Sequence, residues 1–114
     1  TRILLDYELA RAGIAPDDIV GYRTEEYTHM NVSMAVVSGA ADVGLGICAA
    51  AKALGLDFLP ITKERYDLVI PTAYREDEKI QILIDIIRSK EFKEKVLAMG
   101  GYEVHETGNI VNQN

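Results

Sequence analysis

Ser38-Gly39-Ala40-Ala41-Asp42-Val43-Gly44-Leu45-Gly46-Ile47 is the stretch whose reading decides the fold. Val43, Leu45 and Ile47 alternate with Gly44 and Gly46, which is the period of a strand, while helix-period segments run before and after it. The stretch reads as a tight turn followed by a buried strand. A strand with bulk on one face and glycines on the other leaves its backbone open to close approach, either by a ligand or by a packed helix. Both readings stand at this level.

Immediately upstream, Thr28 is placed to cap a helix over His29–Val37, and Gly39 to end it in the left-handed conformation. Downstream, an Ala-rich helix is expected from Cys48 to Leu54, closed by Gly55. Towards the N-terminus, residues 1–12 read as a helix with two apolar stripes, one of Leu5, Leu9 and Ala12 and one of Ile3, Tyr7 and Ala10. Two stripes predict burial on both sides. Gly13 is its stop, Pro16-Asp17-Asp18 a turn or short helical start, and Ile19–Arg23 a strand running into the polar edge Thr24–Tyr27. That edge is a second place to look for a site.

Towards the C-terminus, residues 57–61 read as a short strand in which Pro60 demands an edge position. Residues 66–70 form a longer one, ending at Pro71. Ile80, Leu83, Ile84 and Ile87 recur at i, i+3, i+4 and i+7 and mark an amphipathic helix. Ser89 caps another helix through Met99, residues 102–104 read as a last strand, and 109–114 as a frayed polar end. Strands alternating with helices predict an α/β fold, a layered and mostly parallel sheet with helices on both faces.

The chain has 114 residues, 48% of them hydrophobic, enough for one core. It begins at Thr1, without Met or leader, and is expected to be a piece of a longer protein. The net charge of −6, with Lys and Arg scattered among acids, argues against nucleic acid as a partner. It does not exclude a small anion, which backbone amides at helix starts can hold. No apolar run approaches the roughly 20 residues of a membrane span. Together with a lone Cys48, this makes a cytoplasmic protein the expectation.

Chemistry for making or breaking bonds is sparse. Glu25 and Glu26 are neighbours, so on a strand they face opposite ways and cannot act as a carboxylate pair. Cys48 opens a helix, but among apolar neighbours its structural reading is favoured over a nucleophilic one. Cys48, His29 and His105 lack metal-ligand spacing, Gly44-Leu45-Gly46 lacks the rest of a dinucleotide loop, and no phosphate loop is present. No metal, cofactor or catalytic residue is therefore expected. His29 stands equally as a ligand contact and as an ordinary first-turn residue, and His105 reads as solvated. Thr1-Arg2, Thr28-His29 and the Gly46–Ala49 turn are helix starts and strand ends that could together hold an anion. Arg65-Tyr66 divides evenly between a binding fork and plain surface.

The runs Glu25–His29, Ala35–Ile47, Ala49–Ala51, Gly55–Phe58 and Glu64–Pro71 resemble the periplasmic-binding-protein-like (type 2) domain, related to the LysR substrate-binding domain, that occurs fused to MoeA-type molybdopterin biosynthesis proteins and to molybdate-linked regulators. The resemblance implies two α/β lobes with ligand in the cleft between them. Thr1-Arg2 resemble the end of the segment that opens the second lobe. It implies that residues 1–65 form that lobe, that 66–70 cross the hinge, and that the helices within 66–114 belong to the first lobe. Thr1, Arg2, Thr28, His29, Gly44 and Gly46 are then the cleft residues. The implied ligand is a small oxyanion such as molybdate or tungstate, or a molybdopterin-related pterin. Three roles follow: a non-catalytic binding domain linked to molybdenum-cofactor biosynthesis, an accessory part of a molybdotransferase, or the sensing domain of a regulator. Truncation could also leave the Ile80–Ile87 stripe to drive homo-oligomerisation.

Overall fold

Among the described residues five α-helices form, three of them behind side-chain caps. The computed structural model describes residues 1–111, with α1 over Arg2–Ala12, α2 over His29–Val37, α3 over Cys48–Ala53, α4 over Glu78–Arg88 and α5 over Lys90–Met99. Short 3-10 turns cover Pro16–Asp18 and Thr72–Tyr74. Thr28 accepts a hydrogen bond from the Asn31 amide at 3.1 Å, Asp77 from Lys79 at 2.9 Å and Ser89 from Phe92 at 3.2 Å. Each cap satisfies an amide that the first helical turn leaves without a partner. At the other ends, Gly13 and Gly39 take φ of 69° and 78°, a region in which a side chain is strained.

The expected sheet is absent: among the described residues there is no β-strand. The α/β architecture is therefore corrected to a helical one. Residues 19–23 fold into successive turns, in which the Tyr22 amide donates to Ile19 and the Thr24 amide to Gly21, with Gly21 at φ 81°. Those turns consume the groups a ladder would have used. Residues 42–47 lie without a strand partner, and Gly44 faces a helix instead. Residues 57–61 and 66–70 form no ladder, and 102–104 runs straight into a turn closed by Thr107 on Val104. Alternation makes a segment suited to a sheet, but a sheet exists only where a second segment lies beside it.

The chain divides into two units, Thr1–Phe58 and Leu59–Asn114. In the first, α2 packs on α3, and the buried side chains are small ones on these helices, Ser33, Ala50 and Ala51, together with Leu9 of α1. Small residues allow a short interhelical distance. The second apolar stripe of α1 is not buried: Ile3, Tyr7 and Ala10 are exposed. In the second unit α4 packs on α5, with Ile80, Ile84 and Ile87 half-buried and Ile82, Leu83 and Ile86 exposed. Arg88 at the end of α4 donates from Nε to the Gly108 carbonyl at 2.8 Å, and Lys63 pairs with Glu103.

Candidate functional site

Within the first unit the six candidate residues fall into two groups. The first is built on α1. Arg2 begins that helix and projects to the turn at 19–24: its Nε and Nη2 donate to Glu25 Oε1 at 3.2 and 2.8 Å, and its Nη1 donates to the Tyr22 carbonyl at 2.8 Å. The guanidinium carbon lies 4.5 Å from the centroid of the Tyr22 ring, a cation–π geometry. The Tyr22 hydroxyl in turn donates to Asp6, one turn further along α1. Three side chains thus fix one guanidinium and its platform, and every donor face of Arg2 in this set is aimed at oxygen.

The electrostatics follow from those contacts. Hydrogen bonding to Glu25 is the largest influence on Arg2 and holds its proton more firmly than usual, with burial opposing it. The hydrogen bond to Asp6 raises the Tyr22 phenol above its ordinary value, helped by burial and opposed by Arg2. Arg2 is half-buried whereas Glu25 is exposed. The carboxylate is therefore the more accessible partner and the guanidinium the more enclosed one. Thr1 is exposed and stands at the N-cap of α1 without a side-chain capping bond.

The second group is built on α2. Thr28 is spent on its cap, while His29 is half-buried and in the first turn. The glycines of 42–47 lie against the same helix, and the two differ. A Cβ on Gly44 would sit 2.5 Å from Val32 Cγ1, so helix packing alone accounts for that glycine. A Cβ on Gly46 would meet Val32 Cγ1 at 3.8 Å and His29 Nδ1 at 3.9 Å, ordinary contact distances. Gly46 is thus not demanded by the chain's own packing. No hydrogen bond or ion pair among the described residues joins this group to Arg2. A shallow groove of about 300 Å³ on α2, lined by Glu26, Asn31, Met34, Ala35, Ser38 and Ala40, contains none of the six candidates.

Glu25 and Tyr22, which contact Arg2, and Asp6, which holds Tyr22, were not in the expected cleft set. The polar edge at 24–27 was a signal for Glu25, but the bond from Arg2 spans 23 positions and no local pattern encodes it. Arg65 pairs with Asp67 at 3.0 Å, Tyr66 and His105 are exposed, and Cys48 is half-buried at the start of α3. No group of three or more His, Cys, Asp or Glu among the described residues is disposed to hold a metal ion. No described helix is long and apolar enough to cross a membrane.

These positions lie in the region by which the chain is related to known proteins. Residues 1–88 match the PBP superfamily domain, and the chain belongs to that family of periplasmic-binding-protein-like domains. It is 39% identical over 116 residues to a Clostridium pasteurianum protein described as "Uncharacterized protein in ferredoxin 2Fe-2S gene 5'region", covering 97% of this chain and 99% of that one. It is 33% identical over 110 residues to "Uncharacterized protein YvgK" of Bacillus subtilis (strain 168), covering 96% of this chain but only 35% of YvgK. No solved structure matches the chain.

Proposed function

We propose that the chain is a non-catalytic module that binds a small anionic ligand, an oxyanion such as molybdate or tungstate or a molybdopterin-related pterin, in connection with molybdenum-cofactor biosynthesis. The observation that carries the anionic part is the grip of Arg2 on Glu25. A half-buried guanidinium, fixed by the Tyr22 carbonyl and ring, already holds a carboxylate oxygen at 2.8 Å. Glu25 is exposed and can swing away, so an oxyanion takes its place on the same donors. Family membership supports a binding role, and the choice of ligand rests on the resemblance of Glu25–His29 and Ala35–Ile47 drawn from the sequence alone. Thr1 adds a hydroxyl next to Arg2 in the chain, and His29 with the backbone at Gly46 adds a polar group and a close wall on α2, while Thr28 is engaged in its cap and Gly44 is reserved for packing.

Calorimetric titration of the chain with molybdate, tungstate, sulfate and a pterin tests this reading. At least one of them is expected to release heat and raise the melting temperature. Arg2→Ala should weaken that ligand about tenfold or more, through the loss of a charge-assisted pair. Glu25→Gln should tighten it several-fold by weakening the internal competitor. Gly46→Ala should weaken binding while leaving the unfolding midpoint in place. Silence with all four ligands sinks the reading.

A further inference from the structure

Arg2 and Asp6 stand four residues apart on α1, a spacing that sets two side chains next to each other on one face of a helix. Opposite charges at that spacing close elsewhere in the chain. On α5, Lys90 reaches Glu94 at 3.5 Å and Lys95 reaches Glu91 at 2.8 Å. Lys90 is the nearer parallel, because it is the first residue of its helix, as Arg2 is of α1, with the acid likewise four residues further on. Yet Arg2 forms its ion pair with Glu25, 23 positions away, and among the described residues no ion pair joins it to Asp6.

Tyr22 accounts for the difference. Its hydroxyl donates to Asp6 Oδ1, its ring centroid lies 4.5 Å from the guanidinium carbon of Arg2, and its carbonyl accepts from Arg2 Nη1 at 2.8 Å. One residue thus touches both charges and bonds each of them separately. The phenol holds its proton more firmly than usual, first of all because of Asp6, so the donor stays in place wherever that carboxylate is charged. An Asp6 carboxylate engaged in this way is withheld from Arg2. Set free, it would lie within reach of the guanidinium, as Glu94 lies within reach of Lys90, and would occupy donors that an anion needs.

We propose that the Tyr22 hydroxyl is a guard, holding the Asp6 carboxylate off Arg2 and so keeping the guanidinium open to an anionic ligand. Glu25 is then the carboxylate that a ligand displaces, and Asp6 a latent competitor that Tyr22 keeps out of play. Tyr22 acts here as a positioning residue, and the role rests on the reading of Arg2 as an anion site.

Calorimetric titration of the whole chain with molybdate, tungstate, sulfate and a pterin tests the guard. Tyr22→Phe keeps the ring and the backbone carbonyl and removes the hydroxyl alone. It should weaken whichever of these ligands the wild type binds about two- to fivefold, the range of an ion pair on a helix surface. Adding Asp6→Ala removes the freed competitor and should restore the wild-type affinity. A crystal structure of Tyr22→Phe without ligand should show the Asp6 carboxylate within hydrogen-bond distance of Arg2. A double variant that stays weak overturns the proposal. So does Asp6→Ala alone binding as weakly as Tyr22→Phe, since the bond would then only prop the ring, and so does an Asp6 that remains off Arg2 in the Tyr22→Phe crystal. The crystal also separates the two readings. Asp6 on Arg2 in that variant, with none of the four ligands bound by the wild type, sinks the anion site and leaves Tyr22 as the group that keeps Asp6 from Arg2.

Discussion

The two units of the molecule use their apolar residues in opposite ways. The first buries Leu9, Ser33, Ala50 and Ala51 and presses a glycine backbone onto α2, although its helices have weakly marked apolar faces. The second contains the most regular apolar stripe in the sequence, on α4, yet none of its described residues is buried. Close packing depends on how near two backbones can come, and small residues set that distance. A wide stripe of large side chains needs a correspondingly large surface to cover it. Amphipathicity thus records how much a helix has to bury, and residue size decides whether a short partner can bury it.

The largest expected effect tests that contrast at its tightest contact. Gly44→Ala would force a methyl to within 2.5 Å of Val32 Cγ1, and Val32 is branched and stiff. The variant should lose about 1–3 kcal/mol in denaturant unfolding, as overpacked cores do. Val32→Ala in the same chain should recover part of the loss, a coupling that a double-mutant cycle measures. The counterpart in the second unit is Ile82→Ala on α4, where the side chain is 51% exposed. Its cost should stay within about 0.5 kcal/mol, the range of surface changes. Equal costs at Gly44 and Ile82 would break the comparison.

Capping should treat the two units alike. Thr28→Ala and Ser89→Ala each remove a side-chain acceptor from a first-turn amide, at 3.1 and 3.2 Å. Each should cost about 1 kcal/mol by thermal or denaturant unfolding. A cap acts within one turn, so the difference in burial between α2 and α5 should not enter. A Thr28 effect several times that of Ser89 would mean that the cap also positions the segment before α2.

The smallest effect concerns pH and belongs to the first unit alone. Tyr22 has its phenol held above the ordinary value of 10.0, first by its hydrogen bond to Asp6. Since the folded value exceeds the unfolded one, its contribution is fully present below pH 10.0 and is lost as pH rises through the folded value. Comparing tyrosinate absorbance of wild type and Tyr22→Phe isolates this residue, which should ionise above its ordinary value of 10.0. Asp6→Asn should move it back towards 10.0. An unmoved titration would separate Asp6 from Tyr22 in solution.

Helices and their ends were legible because their signals are local. Thr28 and Ser89 cap, Gly13 and Gly39 stop, and the Ile80–Ile87 spacing marks α4, all within one or two turns of chain. The strands were misread for the complementary reason. Val43, Leu45 and Ile47 specify a chain suited to a sheet, but among the described residues no second segment pairs with them, and at 19–23 a positive-φ Gly21 turns the chain instead. In the candidate site, Arg2 was found from its place at the start of a helix. Its bonds to Tyr22 and Glu25 were not, because they join positions 20 and 23 apart. Of the two glycines on one face, sequence could not separate Gly44, which Val32 requires, from Gly46, which nothing in the chain requires.

The carboxylate of Glu25, resting on Arg2, has a consequence for which solutes the site would respond to. A tethered group competes at an effective concentration in the millimolar range, independent of what the surrounding solution contains. A monovalent solute with no better grip than a carboxylate is then largely excluded until its own concentration reaches that level. An ion of higher charge, or one reaching additional donors, exceeds the threshold at far lower concentration. On the proposed reading, Glu25 would set a floor under selectivity, leaving the Arg2 site unresponsive to abundant weak anions.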